Sequence, residues 1–278
     1  MKMVESVAEL RAARESMASP FGLVPTMGFL HDGHLSLVRQ ARQECSSVGV
    51  SLFVNPEQFG PTEDLSTYPT NLAEDLELLS SEGADVVWTP TAEEMYGPGY
   101  QTWVEVEDLT RYLEGETREG HFRGVTTVVA KLFNSFRPDR AYFGQKDAQQ
   151  TAVIRRMTHD LNFPIEIVVC PIVREADGLA MSSRNAYLSK AERQAATVLY
   201  RALTAATELF SSEEREAERL KAEMEAVLAD EPLAQVEYAS VADTETLEEL
   251  SGKVEQALIS MAVVIGKTRL IDNMTVGN

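Results

Sequence analysis

Phe21-Gly-Leu-Val-Pro-Thr-Met-Gly-Phe-Leu-His-Asp-Gly-His34 is the stretch on which the fold turns. Its first six residues read as a short buried strand. The strand hands over to Met27-Gly-Phe-Leu and then to His31-Asp-Gly-His, and from Leu35 the spacing of Leu35, Val38 and Ala41/Arg42 suits a helix. A helix N-terminus offers free N–H groups and a partial positive charge, both favourable to phosphate. Gly33 lets the backbone approach a ligand closely. Imidazoles placed there can donate hydrogen bonds to phosphoryl oxygens as charge develops. Two other readings stay open: a turn with incidental histidines, or a metal pair, since positions i and i+3 can share a helix face. No further His or Cys cluster supports zinc.

Outward from this stretch, strands and helices alternate. Strands are expected at Val48–Asn55, Ala84–Trp88, Asp139–Phe143 and Ile165–Cys170, and helices at Asn71–Ser81, Gly124–Phe136 and Asp147–Leu161. Met1–Arg14 reads as an amphipathic helix, and Thr91–Gly120 as irregular with a strand around Thr102–Val106. The alternation predicts an α/β fold, a Rossmann-like parallel sheet with helices on both faces. In such sheets ligands bind beyond the carboxyl ends of the strands, so the loops after Thr26, Asn55, Phe143 and Cys170 should converge.

After Tyr187 the character changes. Helices over Ser189–Phe210 and Ser212–Ala229 precede strands at Val236–Val241, Ala257–Ile265 and Thr268–Ile271. The expected division is a larger domain, 1–185, that binds nucleotide, and a smaller C-terminal α+β lid domain, 186–278.

The 278 residues carry a formal charge of −19, from 25 basic and 44 acidic side chains, which argues against nucleic acid and anionic lipid as partners. The charge is uneven. Arg118–Arg184 holds ten Lys/Arg against seven Asp/Glu, a net +3, whereas Lys190 to the end holds nine against seventeen. The positive stretch is either ion pairs on helix faces or a local anion site. No apolar run approaches the roughly 20 residues that span a bilayer, and the start lacks a secretory signal, so a cytoplasmic location is expected. Cys45 and Cys170 form no disulfide framework, and Cys170, in an apolar run, reads as a buried thiol.

Three further segments carry chemistry-bearing residues. Phe143-Gly-Gln-Lys-Asp147 ends a strand in glycine and places Lys146 to meet a polyphosphate; Asp147 can cap the next helix, and Gln150 lies one turn along. Met181-Ser-Ser-Arg184 is a donor-rich loop whose arginine can grip phosphate oxygens bidentately. In Phe53-Val-Asn-Pro-Glu-Gln-Phe59, Asn55 and Gln58 are neutral amides just past a strand end, beside a stiffening proline. They suit a substrate with hydroxyls and a carboxylate, or an ordinary turn.

Together, a strand–HxGH–helix near the start and a late serine-rich basic loop resemble the adenylyl-transferring superfamily that includes class I aminoacyl-tRNA synthetases. Within it, PTMGFLHDGH, FVNPEQF, EGETREGHFRGV, YFGQKDAQQ and VREADGLAMSSRNAYLS resemble the pantothenate synthetase family, in that family's order and across much of residues 24–189. The C-terminal part matches in length and layout more than by motif. The resemblance implies ligation of pantoate and β-alanine, with ATP converted to AMP and pyrophosphate through pantoyl adenylate, and Mg²⁺ to neutralise the leaving pyrophosphate. The alternative is another HxGH nucleotidyltransferase that keeps the nucleotide in its product.

By position, the resemblance implies that Met27, Gly28, Phe29, Leu30, His31, Asp32, Gly33 and His34 line the ATP site, with His34 as acid and phosphate stabiliser and His31 assisting. Gly144, Gln145, Lys146 and Asp147 contact nucleotide, and Val173 touches adenine. Met181, Ser182, Ser183 and Arg184 close over the triphosphate, so that Lys146, Ser182 and Arg184 join the two histidines in catalysis. Gln58, Gln150 and Asn55 hold substrate, and Asp75 is a candidate carboxylate near Mg²⁺, or else a solvated helix residue. A homodimer through the larger domain goes with the resemblance. Gln145 and Asp32 depart from the Glu that many members carry; both are expected to contribute backbone contacts.

Overall fold

The computed structural model describes residues 1–61 and 63–277, and these form two compact units. The first comprises Met1–Gln145 with Gln150–Pro171; the second comprises Lys146–Gln149 with the chain from Ile172 onward.

The first unit is built on six strands: β1 (Lys2–Val4), β2 (Phe21–Thr26), β3 (Ser47–Leu52), β4 (Val86–Trp88), β5 (Arg140–Gly144) and β6 (Glu166–Cys170). They lie in the order β1-β4-β3-β2-β5-β6, and every pairing is parallel. The longer helices are α1 (Val7–Glu15), α2 (Asp32–Glu44) and α3 (Leu72–Ser81), and, beyond the single turns α4 (Ala92–Met95) and α5 (Glu114–Thr117), α6 (His121–Phe136) and α7 (Ala148–Asp160). Side chains alternate across the sheet. Val48 and Val50 join Val24, Val38, Ala41 and Leu79 in a core under α2 and α3. Between them Gly49 faces the other side, where a Cβ would lie 2.6 Å from Phe21 and 2.8 Å from Phe136. Phe136 belongs to α6, which packs with α1, so helices cover both faces as the alternation predicts.

From β2 the chain proceeds to β3 and β4 on one side, and β5 and β6 lie on the other. The strand order therefore reverses between β2 and β5, where open parallel sheets bind ligands beyond their carboxyl ends. The loops after Thr26, Leu52, Gly144 and Cys170 all leave this one edge, because β3, β2, β5 and β6 are adjacent and parallel.

The second unit contains α8 (Lys190–Ala195), α9 (Val198–Ser211) and α10 (Ala217–Ala229), with an antiparallel sheet β7 (Ala234–Ala242), β8 (Ala257–Ile265) and β9 (Thr268–Val276) in the order β7-β8-β9. Leu199, Leu203, Leu220 and Met224 from α9 and α10 share one buried core with Ile259, Met261 and Val263 of β8.

Several elements differ from the sequence reading. Lys2–Val4 is an edge strand paired with β4, and the first helix starts only after Ser6, whose side chain forms a capping box with Glu9. Residues 102–106 form no strand, because the backbone of Val104 is satisfied by hydroxyls: its N–H donates to Thr127 at 3.0 Å and its carbonyl accepts from Thr126 at 2.6 Å. The helix expected over 189–210 is two, α8 and α9, and β9 continues past Ile271 to Val276. No helix among the described residues is long and apolar enough to cross a membrane.

Candidate active site

His31 is the N-cap of α2, and the two histidines form a capping box. His31 Nδ1 accepts from the Gly33 amide at 3.1 Å, and His34 Nδ1 lies 3.4 Å from the His31 amide. The rings are 4.1 Å apart at their centroids. An imidazole that accepts at Nδ1 carries its proton on Nε2 when neutral. The cap therefore fixes the tautomer of both rings and makes Nε2–H the donor of each. The helix terminus expected from the sequence is thus present, with the imidazoles as part of its cap.

The chain reaches that cap through a bent segment. Gly28 (φ 87°) and Phe29 (φ 52°) are both in the left-handed region, unusual for phenylalanine. Asp75 of α3 holds the bend: its Oδ2 accepts from the Phe29 amide at 2.8 Å and its Oδ1 from the Leu30 amide at 2.7 Å. The carboxyl is buried, not solvated, and burial raises its pKa while the two amides oppose the rise. Both oxygens are thus engaged by backbone, which suits an anchor for the HxGH loop. Among the described residues, no group of three or more His, Cys, Asp or Glu is arranged to hold a metal ion.

The loop after β3 is tied to the same place. Asn55 is buried: its Nδ2 donates to Gln58 Oε1 at 3.1 Å and to the Gly124 carbonyl at 3.2 Å, and its Oδ1 accepts from the Tyr96 hydroxyl at 2.8 Å. With its amide oxygen so occupied, Gln58 turns Nε2 toward Met27 Sδ, 3.2 Å away. Asn55 thus orients Gln58, where the sequence reading has both amides facing substrate. The 56–58 turn lies directly on α6: a Cβ on Gly124 would stand 2.1 Å from the Glu57 carbonyl oxygen.

A set of residues with no assigned role in the sequence reading supports that turn from the other side. The buried His121 has Nδ1 2.7 Å from the Gln58 carbonyl and Nε2 3.0 Å from Arg118 Nη1. Arg118 is itself gripped by Glu63, through two contacts of 2.8 Å. Burial first, then the neighbouring Arg118 charge, depresses the His121 pKa to about 4. The neutral ring donates from Nδ1 and accepts at Nε2. Arg118 and His121 fall within the EGETREGHFRGV segment, which carries the family resemblance but marks neither residue for this role; Glu63 carries no sequence signal.

In the second unit, Val173 and Met181 are joined by a backbone hydrogen bond, Met181 N–H to the Val173 carbonyl at 3.0 Å. Ser182 caps a short 3₁₀ turn over Ser183–Tyr187, its hydroxyl accepting from the Arg184 amide at 3.3 Å. Lys146 lies in the 3₁₀ turn Gln145–Asp147 between β5 and α7, with its ammonium 3.9 Å from Asp147. Much of the positive stretch is consumed by ion pairs: Arg118 with Glu63, Arg140 with Glu44 and Glu166, Arg156 with Asp160, and Arg174 with Asp272. Cys170 is buried, which pushes its thiol up to about 11, and so is unsuited to nucleophilic attack.

The family model for pantoate-beta-alanine ligase matches residues 2–275. The chain belongs to the pantoate–β-alanine ligase family. It is 60% identical over 273 residues to the pantothenate synthetase of Roseiflexus castenholzii, covering 98% of each chain. Its structure is similar to the crystal structure of pantothenate synthetase from Thermus thermophilus, with a TM-score of 0.96, 47% identity and full coverage of both chains. It is also similar to the pantoate–β-alanine ligase of Francisella tularensis, solved in complex with β,γ ATP and β-alanine, with a TM-score of 0.82, 34% identity, and 99% and 97% of the two chains covered. Membership in the ligase family agrees with the resemblance read from the motifs.

Proposed function

We propose that this chain joins pantoate to β-alanine at the expense of ATP. The pantoate carboxylate attacks the α-phosphorus, forming pantoyl adenylate and releasing pyrophosphate. The β-alanine amine then attacks the acyl carbon, forming the amide and releasing AMP. The observation that carries the reading is the two-histidine cap of α2 at the reversal of strand order, with both Nε2–H groups set as donors by the cap.

Attack of a carboxylate on a phosphate brings anions together, so fixed donors aimed at the developing charge lower the barrier most. His34 and His31 are assigned to phosphoryl oxygens, and Lys146 and Arg184 to the polyphosphate. Ser182 shapes the turn that presents Arg184. Gln58 and Gln150 are assigned to pantoate, and Asn55 acts through Gln58. Mg²⁺ enters as the counter-ion of the nucleotide substrate; the fixed donors named here belong to the protein. A homodimer is part of the proposal, and sedimentation at micromolar concentration tests it.

The deciding experiment incubates the protein with ATP, Mg²⁺, pantoate and β-alanine, omits each in turn, and measures AMP. AMP release that needs all four supports ligation. A stable product retaining the nucleotide, or AMP release indifferent to β-alanine, overturns it.

A further inference from the structure

Asp272 and Asn273 interrupt the apolar pattern of β9, and both are buried. Buried polar side chains need partners, and these have them. Asp272 receives Arg174 Nη1 at 2.6 Å and Nη2 at 3.0 Å. Arg174 also donates to the Asn273 carbonyl at 3.3 Å and to the Gly178 carbonyl at 3.1 Å. The Asn273 amide donates to Asp272 Oδ1 at 2.8 Å. With its own backbone held this way, Asn273 turns its side chain to a segment 127 positions away: Nδ2 donates to the Lys146 carbonyl at 2.9 Å.

A buried ion pair is a weak way to stabilise a small domain, because well-packed apolar residues of similar volume do as well or better. What such a network supplies is fixed geometry. Lysine carries its charge on a flexible stem, so where the ammonium can reach is set by where the backbone is held. Lys146 lies in a single 3₁₀ turn, and its segment, 146–149, clusters with the unit that contains β9. We propose that Asn273, held by the Asp272–Arg174 pair, is a positioning residue for Lys146, fixing the backbone from which the ammonium meets the nucleotide's phosphates. This rests on the reading of Lys146 as a phosphate contact.

The test is a double-mutant cycle read by titration with a β,γ-methylene ATP analogue in the presence of Mg²⁺, on the full chain. Two variants, Asn273→Ser and Asn273→Asp, are each made alone and in a Lys146→Ala background; the second is isosteric and covers the case in which the first is unstable. Each is expected to weaken analogue binding about 10-fold alone, the scale of one lost hydrogen bond of consequence, with the KM for pantoate within about twofold of the parent. In the Lys146→Ala background the further loss is expected to stay under about twofold, since residues acting through one another are not additive. Equal losses in both backgrounds, or unchanged binding in the single variants, overturn the proposal. Failure of the underlying reading shows separately, as Lys146→Ala binding the analogue like the parent.

Discussion

The buried imidazole of His121 meets the Arg118 guanidinium at 3.0 Å through Nε2, and that contact decides which of its nitrogens carries the proton. A guanidinium has only donors to offer, so Nε2 must accept and Nδ1 must donate, which it does to the Gln58 carbonyl at 2.7 Å. The backbone of the 56–58 turn thus depends on a histidine that stays neutral. Its neutrality follows from burial and from the cation beside it.

Stability should therefore fall with acid in a window set by His121. Its folded pKa is about 4 against an ordinary 6.5. Above 6.5 the ring is neutral folded or unfolded. Between the two values the unfolded chain takes up a proton that the folded ring refuses, so stability is lost as pH falls; below about 4 both states are protonated and the loss levels off. The full span is on the order of 3 kcal/mol. His121→Gln, which cannot titrate, should show a shallower decline of melting temperature between pH 6.5 and 4.5 than the parent. Parallel declines would remove His121 as the cause.

Gly124→Ala tests the seat of the same loop. The added Cβ would stand 2.1 Å from the Glu57 carbonyl oxygen and 2.7 Å from the Gln58 nitrogen, both backbone atoms that cannot rotate away. Either α6 or the 56–58 turn must shift. We expect a destabilisation of about 2 kcal/mol or more and a rise in the KM for pantoate of roughly 10-fold, through the displaced Gln58, with the KM for ATP less affected. A pantoate titration that matches the parent would show that the loop absorbs the methyl without moving Gln58.

Asp75 separates an anchor from a metal ligand. Asparagine has one oxygen where the carboxylate has two, so Asp75→Asn keeps one of the two amide contacts to Phe29 and Leu30 and loses the other. The bend at Gly28–Phe29 then loosens, and His31 and His34 lose their placement. A roughly 10- to 100-fold fall in adenylation rate is expected, with the Mg²⁺ concentration for half-maximal rate unchanged within about twofold. Recovery of the rate at high Mg²⁺ would instead mark Asp75 as a ligand.

The parts of this molecule legible in its sequence are those where local pattern and tertiary role coincide. Phe21–Thr26 is apolar because it is buried in a parallel sheet, and the polar residues that follow are the cap of the next helix. The missed features are those in which a residue's partner lies far along the chain. Val104 sits in a β-branched and aromatic run but bonds to threonines of α6, which no local window shows. The end of β9 was hidden for the opposite reason: Asp272 and Asn273 lower strand propensity, so the pattern stops at Ile271, yet these two residues are the ones that reach Arg174 and Lys146. The break between α8 and α9 carries no glycine or proline to mark it. Glu63 gives no sign of its role until the fold brings Arg118 to it.

His34 has two nitrogens with separate tasks, and two substitutions can divide them. Asparagine places an amide atom near the position of Nδ1 and nothing at Nε2; glutamine can place an amide nitrogen near Nε2 and nothing at Nδ1. His34→Asn should keep an acceptor for the His31 amide, leave the melting temperature within a few degrees of the parent, and lower turnover by on the order of 10²-fold, the scale for one lost donor to a developing oxyanion. His34→Gln should be the less stable of the two, by roughly 1 kcal/mol for the lost cap, yet the more active. His34→Ala loses both functions and should be at least as impaired in turnover as His34→Asn. Turnover and melting temperature measured on all three decide the matter: if the asparagine variant is as active as the glutamine one, Nε2 is not the donor and the assignment of His34 to the phosphoryl oxygens fails.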